Sequence, residues 1–270
     1  MTSPDARKPD FAALPPYRPR RWVPADVDLG SAEAVCGLHQ ALVDRPVASA
    51  ADLEQWLLDR SELDAALGQH HAVLYIRMTC QTDDAARAEA YTRFIQTVEP
   101  AVAPLADGLD RKYLDARRAF ALDTARYGVF DRAVRADVDL FREANVPLKT
   151  EVALLSQQYQ TVTGAMSVTF EGRERTLPEM HKFLLETDRA RREAAWRATA
   201  RRRLADRDTL DDLFEKMLAP RGAIAANAGC EDYMAYQFRA CHRFDYTPAD
   251  CRAFHDAVAR CVVPLARRIH

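Results

Sequence analysis

The histidines and cysteines are the side chains of this sequence best suited to hold a metal ion. The most suggestive pair is Cys251 and His255, one helical turn apart, with Cys241 and His242 just upstream. A thiolate and an imidazole on one helix face can bind zinc. Cys251 also belongs to an apolar stripe, however, and a free cysteine is commonly a small core residue. The pattern therefore favours a structural role for this pair, with a metal site as the alternative.

The remaining histidines have no spacing typical of a ligand set. His70 and His71 are adjacent and point to different faces of a helix, while His181 lies five residues before Glu186, off a shared face. None of the seven histidines is followed by glutamate, so the His-Glu-x-x-His motif of zinc hydrolases is absent. The Glu-x-x-His pattern of di-iron bundles is absent as well. We therefore assign no metal ligand from the sequence.

Nucleophilic catalysis and phosphate binding also lack their usual patterns. The sequence has no Gly-x-Ser-x-Gly motif, and Gly222 and Gly229 are too isolated to form a phosphate-binding loop. Carboxylate pairs such as Asp211–Asp212 and Glu231–Asp232 are adjacent in sequence and are expected on exposed positions. We therefore assign no catalytic and no cofactor-binding residue.

A run of arginines is the strongest local concentration of charge. The segment from Arg189 to Arg207 contains eight arginines and is followed at once by several acidic residues. One interpretation is a basic surface that binds a peptide carboxylate or a nucleic acid. The other is a pair of neighbouring helices joined by solvated ion pairs, with three residues facing inward: Trp196, Ala200 and Leu204. The nearby acidic residues favour the second interpretation.

The elements that would position such residues centre on a stretch from Leu148 to Gly229. Six apolar residues at steps of three and four predict a helix with one buried side: Leu148, Val152, Leu155, Tyr159, Val162 and Met166. Alternating residues around the turn Glu171-Gly172 then predict a small β-hairpin near residues 167–177. The following helices end at Gly229, which is a typical C-terminal stop.

Helices are predicted over most of the remaining chain. Ser31 and Ser49 are suitable N-caps for the first two. Later helices are expected at residues 83–102, 111–126 and 131–144, with breaks at Pro104 to Gly108, at Gly128 and at Asn145 to Pro147. A last helix begins near Thr247-Pro248, and its apolar stripe is still in phase at Ile269. The predicted fold class is all-α, a multi-helix array with one small hairpin.

Composition narrows the classes of partner. The net charge of -2 provides no overall field that would attract nucleic acid or anionic lipid. No apolar run approaches the roughly 20 residues of a membrane span. Six scattered cysteines in a chain of 270 residues without a signal peptide favour a reduced, cytoplasmic setting. We thus expect no nucleic acid and no membrane as partners.

Several short segments are informative through their order along the chain rather than through any single diagnostic motif. They are Glu151 to Tyr159, Gly164-Ala165, Val168 to Gly172, Thr176-Leu177, Asp188 to Trp196, Leu210 to Leu218, Arg221, Ala225-Ala226 and Gly229 to Tyr233. Their order resembles the amino-terminal region of the oligoendopeptidase F family, zinc metallopeptidases related to thimet oligopeptidase. The resemblance covers about residues 112–236, with weaker extension to both ends.

The resemblance implies a mostly helical, cytoplasmic peptidase of about twice this length that cuts short peptides in a channel between two helical halves. It implies four regions in this chain: a Pro-rich tail or arm at 1–28, a helical region at 29–110, an oligoendopeptidase F-like helical domain at 111–240, and the truncated start of the catalytic region at 241–270. The zinc motif of the family lies in the carboxy-terminal half, and no residue here matches it. We expect no zinc bound to this chain, which would be inactive alone and would require the missing catalytic half.

Two functional hypotheses follow. In the first, the chain forms one wall of the channel of a zinc metalloendopeptidase whose catalytic motif lies on other polypeptide. In the second, it is a non-catalytic helical protein that binds peptides or acts as an adaptor. A helical nucleic-acid binder that uses the arginine-rich segment is a weaker third, since acidic residues follow the arginines at once.

Overall fold

The computed structural model describes residues 19–269, and this part of the chain is predominantly helical, with one two-stranded hairpin. The predicted all-α class with a single hairpin is confirmed. Residues 1–18 of the expected Pro-rich arm lie outside the described residues. The elements are α1 (Ala32–Asp44), α2 (Ala50–Cys80), α3 (Ala85–Arg93), α4 (Glu99–Ala119), α5 (Thr124–Leu140), α6 (Asn145–Gly164), β1 (Ser167–Phe170), β2 (Arg173–Thr176), α7 (Leu177–Met180), α8 (Arg189–Ala205), α9 (Arg207–Asn227), α10 (Tyr233–Ala240), α11 (Pro248–Ala257) and α12 (Val263–Ile269).

The largest apolar core lies among α1 to α5. Trp56 on α2 is 1% exposed, and its indole Nε1 donates a hydrogen bond to the Leu42 carbonyl of α1 at 2.9 Å. Tyr113 on α4 is fully buried and donates its hydroxyl proton to Asp131 Oδ1 of α5 at 2.6 Å. Arg117 holds the other carboxylate oxygen at 2.7 Å. Trp56, Tyr113 and Asp131 therefore each have a hydrogen-bond partner, as burial requires.

Glu62 on α2 anchors the segment that precedes α1. Its carboxylate accepts the backbone N–H groups of three consecutive residues, Arg21, Trp22 and Val23, at 2.8 to 3.0 Å. Burial raises the pKa of Glu62, but these backbone N–H groups together lower it by more than burial raises it. The pKa of Glu62 therefore lies below its ordinary value. Val23 is consequently buried against the main core.

Two helix breaks predicted from the sequence are wrong. Pro104 and Gly108 lie inside α4, and Gly128 lies inside α5. A proline removes one hydrogen bond from a helix, but burial on both sides of it can keep the helix continuous. Val102 before Pro104 and Tyr113 after it are both buried in the core, which provides that stabilisation.

Two π-helical turns interrupt the helices, and each precedes a proline by two residues. Residues Phe94–Val98 join α3 to α4 before Pro100, and residues Val258–Val262 join α11 to α12 before Pro264. In both turns the next residue bonds to the carbonyl five positions back. Because proline lacks an N–H group and crowds the carbonyl four residues before it, the wider turn accommodates the ring.

The hairpin has the predicted position and turn. Strands β1 and β2 are antiparallel with Phe170 opposite Arg173, and both turn residues, Glu171 and Gly172, have positive φ angles of 52° and 73°. Two positive φ angles are the signature of the tight turn that matches strand twist. Behind the hairpin, Phe183 packs with Met180 and with Ala195 of α8 in a small separate core.

Helix α6 packs along α9, as its apolar stripe predicts. Leu155 of α6 lies with Leu213 and Met217 of α9 in one core, while Leu140 and Ile224 belong to a neighbouring one. Tyr159 is the exception in the predicted stripe, because it is exposed. The predicted stop after α9 is correct: the helix ends at Asn227, and Gly229 has a φ of 71°.

Two helical segments expose apolar side chains. On α8, Trp196 is 59% exposed and Leu204 is 65% exposed, so the predicted inward orientation of these two residues is wrong. Along α11 and α12 no described residue is buried, and Phe254 is 66% exposed.

Within residues 19–269, no helix is both long and apolar enough to cross a lipid bilayer.

Candidate functional site

A cavity of about 390 Å³ lies where four helices meet. Its walls come from α4, the end of α5, the first turns of α6, and α10. Helix α4 reaches this position because it continues through Pro104, and α10 closes the opposite side after the turn at Gly229. The lining is mixed, with acidic, basic and apolar residues: Glu99, Pro100, Ala103, Ala106, Asp107, Asp110, Asp137, Leu140, Phe141, Arg142, Val146, Lys149, Thr150, Tyr236 and Ala240.

One wall of the cavity is acidic. Asp110 is buried and accepts a hydrogen bond from Arg60 Nη2 at 2.7 Å. Burial raises the pKa of Asp110, and the guanidinium of Arg60 opposes this shift without cancelling it. Glu99 likewise has a raised pKa because of burial, opposed by His71, whose Nδ1 lies 3.6 Å away. This wall therefore contains two carboxyl groups for which the charged form is disfavoured.

Asp107 is one turn before Asp110 on the same face of α4. Its Oδ2 accepts a hydrogen bond from Arg111 at 2.7 Å, but its buried Oδ1 has no partner within the described residues. On α5, Asp137 Oδ1 contacts Nε2 of His242 at 2.8 Å. An unpaired carboxylate oxygen is costly to bury, so this wall can readily accept a donor.

The facing wall is basic and aromatic. The Lys149 ammonium on α6 lies 6.0 Å from the ring centroid of Tyr236, which is buried and stacks on Tyr233. Arg142 donates through Nη1 to the carbonyls of Asp139 and Phe141 at 3.0 and 2.6 Å, which holds it at the end of α5. The cavity thus has opposite charges on its two walls and apolar side chains between them.

This arrangement is suited to binding a ligand that carries both charges. Carboxylates on one wall accept N–H donors, and Lys149 on the other attracts carboxylates or carbonyl oxygens. Among the residues that the structure describes, the lining contains no serine, cysteine or histidine.

The best-spaced candidate ligands do not come together as a metal site. His255 is exposed and Cys251 is partly buried on α11, while His242 is held by Asp137 on α5. Across residues 19–269, no three His, Cys, Asp or Glu side chains are arranged to hold a metal ion. Cys251 is thus not fully buried, unlike the core residue that its place in the apolar stripe suggests.

His39, His70 and His71 occupy positions in the packing. His71 stacks on Tyr91 and Phe94, and the neighbouring His70 also contacts Phe94. His39 is buried, with Nδ1 at 2.9 Å from the Val35 carbonyl. The exposed His181 opens the short 3₁₀ turn His181–Leu185 after α7.

The residues of the cavity were not identified from the sequence. Asp107 and Asp110 are three apart, a spacing that puts two carboxylates on one helix face, but the expected break at Pro104 to Gly108 placed Asp107 in a turn. Lys149 and Tyr236 are far apart in sequence, and only the packing of α6 against α9 and α10 brings them together. A prediction of one continuous helix through Pro104 would have placed Asp107 and Asp110 on the same helix face and so revealed the acidic wall.

Comparison with solved structures identifies the fold. A 3.1 Å crystal structure of an oligoendopeptidase F has a TM-score of 0.81 and 23% identity over 92% of this chain, which matches 43% of that chain. PZ peptidase A with an inhibitor gives a TM-score of 0.80 and 20% identity over 96% of this chain and 44% of its own length. An oligoendopeptidase F from Bacillus anthracis str. Ames gives a TM-score of 0.79 and 20% identity over 90% of this chain and 45% of its own length. No protein-family model and no curated protein matches the sequence.

The resemblance noted in the sequence is thus confirmed at the level of the fold, although identities of 20 to 23% are low. The chain spans less than half the length of the solved structures that it matches. Residues 19–269 therefore have the fold of a partial, roughly half-length oligoendopeptidase F-like chain.

Proposed function

We propose that this chain is the amino-terminal, channel-forming part of a zinc metalloendopeptidase that hydrolyses short peptides in the cytoplasm. Its role is to bind and confine the peptide, while zinc and the general base come from polypeptide outside residues 1–270. The observation that carries this proposal is the structural likeness, since at least 90% of the chain aligns with peptidase-like structures and at most 45% of their length is matched.

The four-helix cavity supports a role in peptide binding. Asp107 offers an unpaired carboxylate oxygen to an N–H donor, and Lys149 offers a positive charge on the facing wall. A short peptide carries both kinds of group, with an amino group and a carboxylate at its ends. The cavity then forms one part of the channel wall.

The exposed apolar side of α11 and α12 supports an interface with further polypeptide. Phe254, Leu265 and Ile269 are all exposed there, and an exposed apolar face of this kind is typical of an interaction surface. The catalytic half of the peptidase would cover it. The six cysteines, none of which is in a disulfide, are compatible with a reducing cytoplasm.

The donor groups within residues 19–269 do not fit a zinc ion. The pair of Cys251 and His255 lacks a third ligand, and His242 is engaged with Asp137. We therefore derive no step of peptide hydrolysis from the side chains of this chain. In the proposed enzyme, zinc on the other half would supply the Lewis acid and the bound water.

The coding sequence after codon 270 tests the proposal most directly. An in-frame His-Glu-x-x-His motif is expected there, and purified residues 1–270 should show negligible zinc content and negligible cleavage of quenched fluorescent peptides. A stop codon in place of the motif would support the alternative, a non-catalytic helical adaptor that binds peptides. Stoichiometric zinc in residues 1–270 would contradict the assignment of the metal to other polypeptide.

A variant of the longer protein tests the binding role of the cavity. Asp107→Asn removes one charge from the acidic wall and should raise KM about threefold with little change in kcat, because it weakens ground-state and transition-state binding equally. Asp115→Asn is the matched control, since Asp115 lies on the same helix and is exposed. Equal kinetic effects of the two substitutions would argue against the cavity.

A further inference from the structure

The outer face of α8 combines an exposed tryptophan with arginines. Arg189, Trp196 and Arg203 are spaced by seven residues, so they share one side of the helix, with each arginine about 10 Å from the tryptophan along the axis. All three are exposed. We call these three residues the Arg-Trp stripe.

The two arginines of the stripe lack acidic partners. Among residues 19–269, neither Arg189 nor Arg203 forms an ion pair, whereas other arginines of α8 do so with nearby carboxylates. Arg191 pairs with Glu171 and Glu186, Arg197 with Glu193, and Arg202 with Asp206. Arg192 and Arg201 also form no ion pair among these residues, so the expected compensation by ion pairs reaches only three of the seven arginines of α8.

A shallow depression of about 470 Å³ adjoins the tryptophan. Its lining consists of Leu184, Arg189, Arg192, Glu193 and Trp196. Arg192 is fixed there, because its Nη1 donates to the Thr187 carbonyl at 2.9 Å. An apolar side chain can therefore lie against Trp196 with guanidinium groups beside it.

We propose that the Arg-Trp stripe is a docking site for an extended acidic peptide. In such a peptide an apolar residue covers Trp196, and carboxylates about three residues to either side reach Arg189 and Arg203, because an extended chain rises about 3.3 Å per residue. Arginine is well suited to carboxylates, and aromatic residues with arginine are the commonest binding hot spots. The site lies outside the four-helix cavity, and the proposal does not depend on peptidase activity.

Charge favours a peptide over a nucleic acid as the occupant. Two unpaired arginines match a few carboxylates, whereas a phosphate backbone needs a longer basic track. Glu193 lines the depression and Asp206 follows the helix, and both would repel a continuous polyanion. The net charge of -2 supplies no long-range attraction for such a ligand.

The binding test uses a fluorescein-labelled seven-residue peptide with glutamate at both ends, leucine in the centre and glycines between them. Fluorescence anisotropy should show saturable binding to residues 1–270 that weakens with added salt. The same peptide with glutamine at both ends should bind at least about threefold more weakly, as expected for exposed ion pairs. Equal affinity of the two peptides, or no saturation below about 5 mM, would overturn the proposal.

Variants locate the site. Arg189→Gln combined with Arg203→Gln should weaken binding about tenfold, and Trp196→Ala by a similar factor. Arg201→Gln is the matched control, since Arg201 is exposed on the same helix but projects about 140° away from Trp196. An equal loss for Arg201→Gln would indicate unspecific charge attraction and would contradict the stripe.

Tryptophan fluorescence provides a second readout. Trp196 is 59% exposed, Trp56 is 1% exposed and Trp22 is partly buried, so quenching by acrylamide reports mainly on Trp196, with a smaller contribution from Trp22. The acidic peptide should protect against quenching in the wild-type chain and have no such effect in Trp196→Phe. Tighter binding of single-stranded RNA than of the acidic peptide, in a competition experiment, would reject the peptide as occupant.

Discussion

The bundle of α1 to α5 and the exposed sides of α8, α11 and α12 differ in how they place similar side chains. Trp56 in the bundle is buried with its indole N–H satisfied by Leu42, whereas Trp196 on α8 is exposed among arginines. Phe94 and Val98 are buried next to one π-helical turn, and Phe254 and Val262 are exposed next to the other. The bundle completes its own core, whereas α8, α11 and α12 leave large apolar side chains exposed.

The largest expected effect compares the two tryptophans. Trp56→Ala should lower the free energy of unfolding by about 4 kcal/mol, because it leaves a cavity in the core and removes the indole hydrogen bond to the Leu42 carbonyl. Trp196→Ala should change it by less than about 0.5 kcal/mol, as is usual for an exposed side chain. Urea denaturation monitored by circular dichroism measures both. Similar losses for the two variants would remove the distinction between the regions.

A smaller loss of stability is expected when the ion pair between Asp131 and Arg117 in the bundle is removed. The hydrogen bond from Arg117 lowers the pKa of Asp131, burial opposes it, and the Tyr113 hydroxyl adds to the lowering. Asp131→Asn should lower the free energy of unfolding by about 3 kcal/mol at pH 7, because it leaves Arg117 without its counter-charge.

The pH dependence of stability identifies the origin of that loss. Because the folded pKa of Asp131 is depressed, its stabilisation is fully present above the unfolded value of about 3.9 and is lost as the pH falls through the folded pKa. The difference in free energy of unfolding between wild type and Asp131→Asn should therefore narrow as the pH falls below about 4. A constant difference in urea denaturation over that range would contradict this explanation.

The smallest effect on stability is expected at the exposed end of the chain. Phe254→Ser should change the free energy of unfolding by less than about 0.5 kcal/mol, since the side chain is 66% exposed. Binding of a hydrophobic fluorescent dye and self-association in analytical ultracentrifugation should both decrease. Unchanged dye binding, or a large loss of stability, would show that this side of α11 is already packed.

Local signals in the sequence predicted local structure well. Ser31 and Ser49 cap α1 and α2 through their hydroxyl groups, and Glu171-Gly172 forms the hairpin turn. The helix breaks at Pro104 and Gly128 were wrong because packing on both sides outweighs the local cost of these residues. Local propensity is informative where no tertiary contact opposes it.

The orientation of α8 and the composition of the cavity depend on contacts between distant residues. Nothing near Trp196 in the sequence indicates that Ala195, rather than the tryptophan, faces Phe183. The cavity combines Asp107 with Lys149 and Tyr236, which no spacing rule relates. The resemblance of this sequence to the oligoendopeptidase F family predicted the fold, because that resemblance depends on the order of many segments rather than on one spacing.

The π-helical turn before Pro100 determines which side chains α4 presents. Such a turn accommodates one residue more than an α-helical turn, so every later position is rotated by about 100° relative to an uninterrupted continuation of α3. Removing one residue from 94–98 would turn Tyr113 away from Asp131 and the acidic wall away from its cavity. The register of the whole bundle therefore depends on a single additional residue.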